Sequence, residues 1–381
     1  MRQNNCERPK IILAAIITAA MSSVPVWADT GPAHRVDQPF PARLGTSGGN
    51  INDFAKGFCY GGTLGALVHD GNGTQYILSN NHVLARTNLG VTGEDIIQPG
   101  LIDQSSTCNK DVNDAVADLS AFIPILFKAK KTVPTNSVDA AIAEVRPGRV
   151  DPTGEILDIG TISNATVEPA LGLAVKKSGR TSGLTSGTIS AVNVTVDVSY
   201  GSGKTARFAN QILVTPGSFL ASGDSGSLMV ENIDATPGAV GLLFAGSSSV
   251  AIANPIEAVL SAFGVTMVGS GPAATWADKM RTWAKNLLGI RESHAASAQL
   301  PPHANAAAVD AVRRVKERHE AKLLAVPGVV GVGVGHSEKV SGQAAIEIYV
   351  KERANSMRRV LPGSLDSVEV KIIETGEIQA Y

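Results

Sequence analysis

Aromatic and charged residues are both scarce in this chain of 381 residues, at 4% and 18% of the composition. The formal net charge is −1, so the composition offers no basic surface for nucleic acid and no charge excess for an acidic membrane. Cysteine is also rare, with three residues, and the histidines are scattered without the spacing of metal ligands. We therefore expect no nucleic-acid partner and no metal site.

Long apolar runs are missing too, except near the start of the sequence. In residues 1–28, basic residues precede an apolar run from Ile11 to Met21, and small residues then lead to Ala28. This pattern predicts a secretory signal peptide cleaved after Ala28, a secreted or periplasmic location, and no membrane association after cleavage. The alternative is a membrane anchor, for which the run is short and is broken at Pro25.

Two cysteines, Cys59 and Cys108, follow this predicted signal peptide. In an exported protein, two cysteines favour one disulfide, although two separate thiols are the alternative.

Glycine is abundant, with 39 residues, and valine, isoleucine and threonine are spread through short runs that turn residues separate. Residues 64–68 and 76–78 flank the turn formers Asp70-Gly71-Asn72-Gly73, which predicts a β-hairpin. Further strand-like runs lie at 116–124, 138–145, 173–176, 187–198, 206–214, 226–230 and 239–245. Many short strands at this spacing predict a mainly β sandwich or barrel.

The β pattern stops near Asn254, where "PIEAVLSAFGV" predicts a short helix. A second helix is predicted at about 275–288, and later helical and strand-like runs after residue 304 predict a small α+β domain. The predicted organisation is a signal peptide (1–28), a β domain (29–268), a helix and linker (269–304) and the α+β domain (305–381). For that last domain, substrate recruitment, inhibition and surface anchoring all stay open, and its partner is unknown.

Three separated residues are candidates for nucleophilic catalysis. Ser225 lies in "LASGDSGSLMV" between Gly223 and Gly226. A serine hydroxyl attacks an acyl carbon only when a base takes its proton, and that base is usually a histidine oriented by a carboxylate. His82 follows a predicted strand in "LSNNHVLA", and Asp139 begins the apolar run of "SVDAAIAEV". The glycine-rich turn is expected to direct the N–H groups of Gly223 and Ser225 into one small space.

Two of these candidates have rivals in the sequence. Asp118, in "VADLSAF", also heads an apolar run, but the spacing from His82 and to Ser225 favours Asp139. Ser227 lacks the preceding Gly-Asp pair and falls within the next predicted strand.

In their order, "FCYGGTLGALV", "LSNNHVLA", "SVDAAIAEV" and "SGDSGSLMV" resemble the trypsin-like (chymotrypsin-fold) serine peptidases, in their bacterial secreted, streptogrisin-like branch. Residues 175–193 resemble the strand-turn-strand ahead of the nucleophile, and residues 240–256 resemble the substrate-binding strand and the closing segment. The resemblance spans about residues 43–265. It implies a double antiparallel β-barrel of chymotrypsin type, here followed by helices and the small α+β domain.

The resemblance also implies roles for the candidates. His82 matches the general base, Asp139 the orienting carboxylate and Ser225 the nucleophile, while Gly223 and Ser225 match the oxyanion-hole donors. It implies a polypeptide substrate and no cofactor. The specificity pocket is expected near four residues without an acidic side chain, which favours a small or apolar substrate residue: Phe219, Ala245, Gly246 and Ala251.

The sequence departs from the family pattern in three places, one of which is Ser227 in place of the last glycine of GDSGG, a change expected to be tolerated. Val83 stands where members with a disulfide beside the histidine have a cysteine, so the resemblance implies that Cys59 pairs with Cys108. No "IVGG"-like activation site is present, so Asp224 needs a partner other than a new N-terminal amine.

These patterns together predict an exported serine endopeptidase that acts through an acyl-enzyme. The alternatives are a catalytically silent trypsin-fold protein with a binding or regulatory role, and an esterase that uses the same triad.

Overall fold

The computed structural model describes residues 33–55, 57–104, 108–271, 306–340, 342–352 and 354–381. The predicted signal peptide and the predicted helix at 275–288 lie outside the described residues. Among the helices that are described, none combines the length and apolar character needed to cross a membrane.

The described residues contain 22 strands. In the first half of the chain they are β1 (Thr46–Asn50), β2 (Phe54–Ala55), β3 (Phe58–Cys59), β4 (Gly62–Leu64), β5 (Ala66–His69), β6 (Gln75–Ser79), β7 (Asp95–Ile97), β8 (Ala115–Phe122), β9 (Thr135–Asn136), β10 (Ala141–Val145) and β11 (Ala174–Gly179). The others are β12 (Gly183–Ser199), β13 (Thr205–Thr215), β14 (Leu228–Glu231), β15 (Ala239–Gly246), β16 (Ala251–Pro255), β17 (Thr266–Met267), β18 (Val329–His336), β19 (Ala344–Val350), β20 (Ser364–Leu365), β21 (Val368–Glu374) and β22 (Gln379–Ala380). The described helices are α1 (Asn81–Leu84), α2 (Ile256–Phe263), α3 (Ala306–Leu324) and α4 (Ala354–Met357).

The first sheet has eight strands in the order β17-β5-β6-β10-β8-β7-β1-β4. Its β5–β6 hairpin is the one that the sequence predicts, and the turn is held by the Asp70 carboxylate, which accepts hydrogen bonds from the amides of Asn72 and Thr74 at 2.9 and 3.0 Å. Gly73 closes the turn with φ of 86°, a conformation that favours glycine. Because the hairpin fixes the end of β6, it also fixes the position of His82, which follows three residues later.

The second sheet contains a closed barrel. β12 pairs with both β11 and β13, and the path β11-β14-β15-β16-β13 returns to β12. Apolar side chains from these strands point inward and are fully buried, among them Val175, Ile189, Val214 and Leu243. The mainly β fold of chymotrypsin type that the sequence predicts is confirmed.

The predicted α+β domain continues the second sheet. β18 pairs antiparallel with β12, with Ala191 opposite Gly335, and β19, β21 and β20 extend the sheet outward. Helix α3 covers β18 and β19 and buries Val312, Val315 and Leu323 in a shared apolar cluster. The C-terminal part of the chain is therefore joined to the second barrel through main-chain hydrogen bonds.

One disulfide joins Cys59 to Cys108, with a Cα–Cα distance of 5.5 Å. It links the β2–β3 hairpin to the segment before β8, where the chain returns toward the first sheet.

Candidate active site

His82 lies on the single turn of α1, directly after β6. Two asparagines fix this turn: Asn80 donates from its side chain to the carbonyl of Asp139 at 2.8 Å, and Asn81 donates to the carbonyl of Ile123 at 2.7 Å. The imidazole Nδ1 of His82 lies 2.6 Å from Oδ2 of Asp139, and the His82 amide donates to the other carboxylate oxygen at 3.2 Å. Both oxygens of one buried carboxylate thus orient one histidine.

Asp139 is fully buried and has further partners. The hydroxyl of Tyr200 donates to its Oδ2 at 2.7 Å, and its own amide donates to the side-chain oxygen of Asn254 at 3.0 Å. Its rival Asp118 lies elsewhere, in an ion pair with Arg146 at 2.6 Å. The structure therefore places Asp139, and not Asp118, against His82.

The electrostatics of this pair favour a charged ring. Burial alone would lower the pKa of His82, but the Asp139 carboxylate and its hydrogen bond, together with the Tyr381 oxygen and Asp53, raise the pKa above its ordinary value. Burial and the same carboxylate hold the pKa of Tyr200 well above its ordinary value, so its hydroxyl keeps its proton and acts as a donor.

Ser225 lies in the tight turn between residues 221 and 227, and it is fully buried. Gly223 and Gly226 have φ of 94° and 92°, and a side chain at Gly226 would clash with the carbonyl oxygen of Thr63. The turn therefore requires glycine at both places. Within the described part of the chain, no acceptor is bound to the amides of Gly223 and Ser225, so both N–H groups are free to bind an oxyanion.

The hydroxyl of Ser225 donates to the main-chain oxygen of Phe244 at 3.2 Å. In the described residues, Nε2 of His82 contacts the main-chain oxygen of Tyr381 at 2.9 Å, so the structure does not join Ser225 to His82 by a direct hydrogen bond. Ser227 is also buried, and its hydroxyl donates to the carbonyl of Asp224.

Asp224 has the substitute partner that the sequence requires. The Lys177 ammonium lies 3.0 Å from Oδ2 of Asp224, and both side chains are fully buried. The amides of Thr181, Ser182 and Ala221 donate to the same carboxylate at 2.7, 3.0 and 2.9 Å. Although burial opposes its charge, the Lys177 ammonium and these hydrogen bonds lower the pKa of Asp224. The turn before Ser225 is therefore fixed by a buried ion pair.

Two of the four residues expected in the specificity pocket, Gly246 and Ala251, pair across β15 and β16. Phe219, Ala245 and Ala251 are buried, and Gly246 ends the strand β15 that Phe244 also belongs to. Phe219 and Ala251 are members of one apolar cluster, against which the ring of Tyr381 packs.

Reasoning from the sequence missed Tyr200, Asn254, Lys177 and Tyr381. Lys177 lies two residues after the buried Val175 in "AVKKSG", so the alternation of β11 is the local signal that places it on the same buried face. Nothing local marks Tyr200 or Tyr381, since their partners are 61 and 299 residues away.

Several known proteins match parts of this chain. Residues 128–254 match the family described as the Nal1 C-terminal domain, a stretch that contains Asp139 and Ser225 but not His82. Glutamyl endopeptidase 2 of Streptomyces griseus is 38% identical over 117 residues, which cover 30% of this chain and 55% of that relative. The chain thus matches about half the length of this curated relative.

Solved structures also resemble the chain. A glutamic acid specific serine protease that utilizes a histidine triad in substrate binding is 25% identical and covers 59% of this chain and 100% of its own, with a TM-score of 0.39. Protease A of Thermobifida fusca is 19% identical and covers 57% of this chain and 95% of its own, with a TM-score of 0.37. The resemblance to trypsin-like serine peptidases of the bacterial secreted branch is confirmed by the match to the glutamyl endopeptidase.

Proposed function

We propose that this chain is an exported serine endopeptidase in which Ser225, His82 and Asp139 form a catalytic triad. The buried pair of His82 and Asp139, 2.6 Å apart, supports this function because it holds the imidazole with Nε2 turned toward the cleft. On the other side of the cleft, Ser225 lies in a turn that leaves two amide groups without acceptors among the described residues. These are the parts that acyl transfer requires.

In the proposed reaction, Oγ of Ser225 bonds to the carbonyl carbon of the substrate while its proton passes to Nε2 of His82. The amides of Gly223 and Ser225 stabilise the negative charge on the carbonyl oxygen. The imidazolium, stabilised by Asp139, then gives its proton to the leaving amine, and an acyl-enzyme remains. Water attacks this ester with His82 again as base, which releases the acid and restores the Ser225 hydroxyl.

A small or apolar side chain is the substrate residue that we propose for the pocket. The Streptomyces relative is a glutamyl endopeptidase. In this chain the pocket residues Phe219, Ala245, Gly246 and Ala251 contain no cation that could pair with a carboxylate. An unpaired charge in an apolar site is costly, so glutamate is a poor substrate residue here.

We further propose the organisation that the sequence predicts: a signal peptide at 1–28, a peptidase domain at 29–268, a helix and linker at 269–304, and the α+β domain at 305–381. The Cys59–Cys108 disulfide supports export, because disulfides persist in oxidising compartments.

Labelling with a fluorophosphonate, which reacts only with an activated serine, tests this function. We expect Ser225→Ala and His82→Ala to abolish labelling, and Ser225→Ala to lower peptide turnover by about 10⁴-fold or more. Ser186→Ala, a change at an exposed serine of β12, is the matched control and is expected to leave labelling and peptide turnover unchanged. Near-normal turnover by Ser225→Ala would overturn the assignment. An esterase is distinguished by comparing ester and amide substrates of the same sequence.

A further inference from the structure

Residues 379–381, which we call the cleft segment, lie along the edge of β15. β22 pairs antiparallel with this strand, with Ala380 opposite Ala245 and Gln379 opposite Gly246. The amide of Tyr381 then donates to the main-chain oxygen of Phe244 at 3.3 Å. An extended peptide that adds to a sheet edge is bound in this way, by main-chain hydrogen bonds with side chains in pockets.

The main chain of Tyr381 lies between the proposed base and the proposed nucleophile. Its oxygen is 2.9 Å from Nε2 of His82. Its amide shares the oxygen of Phe244 with the hydroxyl of Ser225. The end of the cleft segment therefore lies between the base and the nucleophile, with its oxygen at His82 and not at the amides of Gly223 and Ser225, which have no acceptor among the described residues.

The side chain of Tyr381 lies against residues of the predicted specificity pocket. A Cβ added at Gly246 would lie 3.0 Å from Cε2 of the tyrosine ring, so the ring passes directly over this glycine. The ring packs against the apolar cluster that contains Phe219 and Ala251. Burial raises the pKa of the Tyr381 hydroxyl, so this group stays neutral in the pocket.

We infer that the cleft segment binds as the acyl half of a substrate: the pocket takes an aromatic residue, and this segment competes with peptide substrates for the site. This inference rests on the proposed function and adds the substrate class and the regulation of the same site. Peptides with tyrosine or phenylalanine before the scissile bond are the substrates that fit, because a ring buries apolar area against the pocket walls.

The residues before the cleft segment attach it to the second sheet. Ile378 is buried in a cluster with Phe244 and Ala245, and its carbonyl oxygen accepts a hydrogen bond from the amide of Ser199 at 2.9 Å. The preceding strand, β21, is part of the sheet that extends from the second barrel. A segment attached this closely has an effective concentration on the order of millimolar, so even weak intrinsic affinity keeps the cleft occupied.

Occupancy also holds the base in its inactive form. Nδ1 of His82 faces the Asp139 carboxylate and Nε2 faces the oxygen of Tyr381, and both oxygens only accept hydrogen bonds. Both ring nitrogens must therefore carry protons. A protonated imidazole cannot take the proton of Ser225, so the occupied state is blocked chemically as well as sterically.

Three full-length variants test the inference. Tyr381→Ala removes the ring, Tyr381→Phe keeps a ring, and Val360→Ala removes an exposed apolar side chain of the same C-terminal region as a matched control. We measure the rate of fluorophosphonate labelling, which needs no substrate residue in the pocket. We expect Tyr381→Ala to be labelled about tenfold faster than wild type, because the cleft segment loses the ring that binds it at millimolar effective concentration. The other two variants should be labelled at nearly the wild-type rate.

The substrate class is measured on Tyr381→Ala with peptide amides that differ only in tyrosine, glutamate or arginine before the scissile bond. We expect kcat/KM to be at least about tenfold higher for tyrosine. The free peptide Ile-Gln-Ala-Tyr is expected to inhibit this variant competitively, whereas Ile-Gln-Ala-Glu is not.

The outcomes separate the two proposals. If wild type, Tyr381→Ala and Val360→Ala all label at the same rate, the endopeptidase function stands and the competition by the cleft segment is wrong. A preference of Tyr381→Ala for the glutamate peptide would overturn the aromatic substrate class. If no variant labels and none cleaves any peptide, the proposed function fails and this inference fails with it, which leaves the catalytically silent alternative.

Discussion

Asp139 and Asp224 are two fully buried carboxylates that precede strands of different sheets, and they differ in the cation that each one holds. Asp139 holds an imidazole at 2.6 Å, together with the hydroxyl of Tyr200. Asp224 holds the ammonium of Lys177 at 3.0 Å, together with three main-chain amides.

The difference lies in whether the cation can release its proton near neutral pH. Histidine titrates close to neutrality, and the pKa of His82 is raised above its ordinary value by Asp139. Burial lowers the pKa of Lys177, but Asp224 opposes that effect and the ammonium stays paired. A buried carboxylate can therefore orient a base that exchanges its proton, as Asp139 does for His82. It can equally hold a turn in place through a permanent ion pair, as Asp224 does with Lys177.

The largest expected effect is that of Asp139→Asn, measured in the Tyr381→Ala background so that the cleft is free. An asparagine offers only one acceptor oxygen to Nδ1 of His82 and to Tyr200, so the imidazole loses its orienting acceptor and its tautomer. We expect kcat/KM to fall by about 10⁴-fold, as in the general case of a triad aspartate replaced by asparagine.

Asp118→Asn is the control for this change. Asp118 pairs with Arg146 and its side chain is 41% exposed, so the variant is expected to keep activity within about twofold. Equal losses in the two variants would show that Asp139 has no special relation to His82.

Lys177→Met removes the cation that pairs with Asp224. It leaves Asp224 buried without a cation, and we expect a loss of about 3–5 kcal/mol in the free energy of unfolding, read from urea denaturation. If the turn moves, the amides of Gly223 and Ser225 lose their positions, and kcat is expected to fall by about 10²-fold or more. The loss of stability should be smaller at pH 6 than at pH 9, because without Lys177 burial raises the pKa of Asp224 and the carboxyl binds a proton more readily as the pH falls.

Lys176→Met, one residue earlier, is the matched control. Among the described residues, the Lys176 ammonium donates a hydrogen bond to the exposed main-chain oxygen of Ile233 at 2.8 Å, so we expect a change below about 0.5 kcal/mol. The double variant Lys177→Met/Asp224→Asn removes both charges and should recover part of the stability. A Lys177→Met protein as stable as wild type would contradict a structural role for the ion pair.

Tyr200→Phe has the smallest expected effect and acts on pH dependence. Asp139, Asp53, the Tyr200 ring and the Tyr381 oxygen are the groups that face His82 or act on its charge. Activity requires neutral His82, so kcat/KM rises as pH passes upward through its raised pKa. Losing the Tyr200 hydroxyl makes Asp139 a stronger partner for imidazolium, so the acid limb of the pH–rate profile should move to higher pH, with a loss of about threefold near neutrality.

Asp53 provides the control for this profile, because burial raises its pKa to about 6 and its titration overlaps the acid limb. Asp53→Asn removes that titration. If Tyr200→Phe shifts the limb in the Asp53→Asn background as well, the shift belongs to His82. An unchanged limb in both backgrounds would mean that Tyr200 only packs against its neighbours.

The raised pKa of His82 also determines how the free energy of unfolding depends on pH. The folded state binds this proton more tightly than the unfolded chain, so the contribution is fully present below the unfolded value near 6.5 and is lost as pH rises through the folded value. Asp139→Asn should therefore reduce the free energy of unfolding more at pH 6 than at pH 9.

Much of the fold could be predicted because it depends on local patterns. The turn at residues 70–73 with its flanking apolar runs predicts the β5–β6 hairpin, and the helical spacing after Asn254 predicts α2. The glycines around Ser225 indicate a turn that only glycine can form. In each case, a few neighbouring residues restrict the backbone enough to fix the local structure.

The partners across the cleft could not be predicted in this way. Lys177 and Asp224 are 47 residues apart, and Tyr200 and Asp139 are 61 apart. Their contacts depend on the registers in which β11, β12 and β14 pair, and a shift of one residue would turn each side chain to the opposite face.

The sequence by itself determined many of the strands, the glycine turn and the residue types of the candidate site, because these follow from backbone preference and from the chemistry that serine and histidine require. Only the tertiary structure decided which carboxylate receives His82, which cation holds Asp224, and that Tyr381, 299 residues from His82, lies in the cleft. Contacts at such separations are formed by whole sheets closing on one another, and no local preference encodes them.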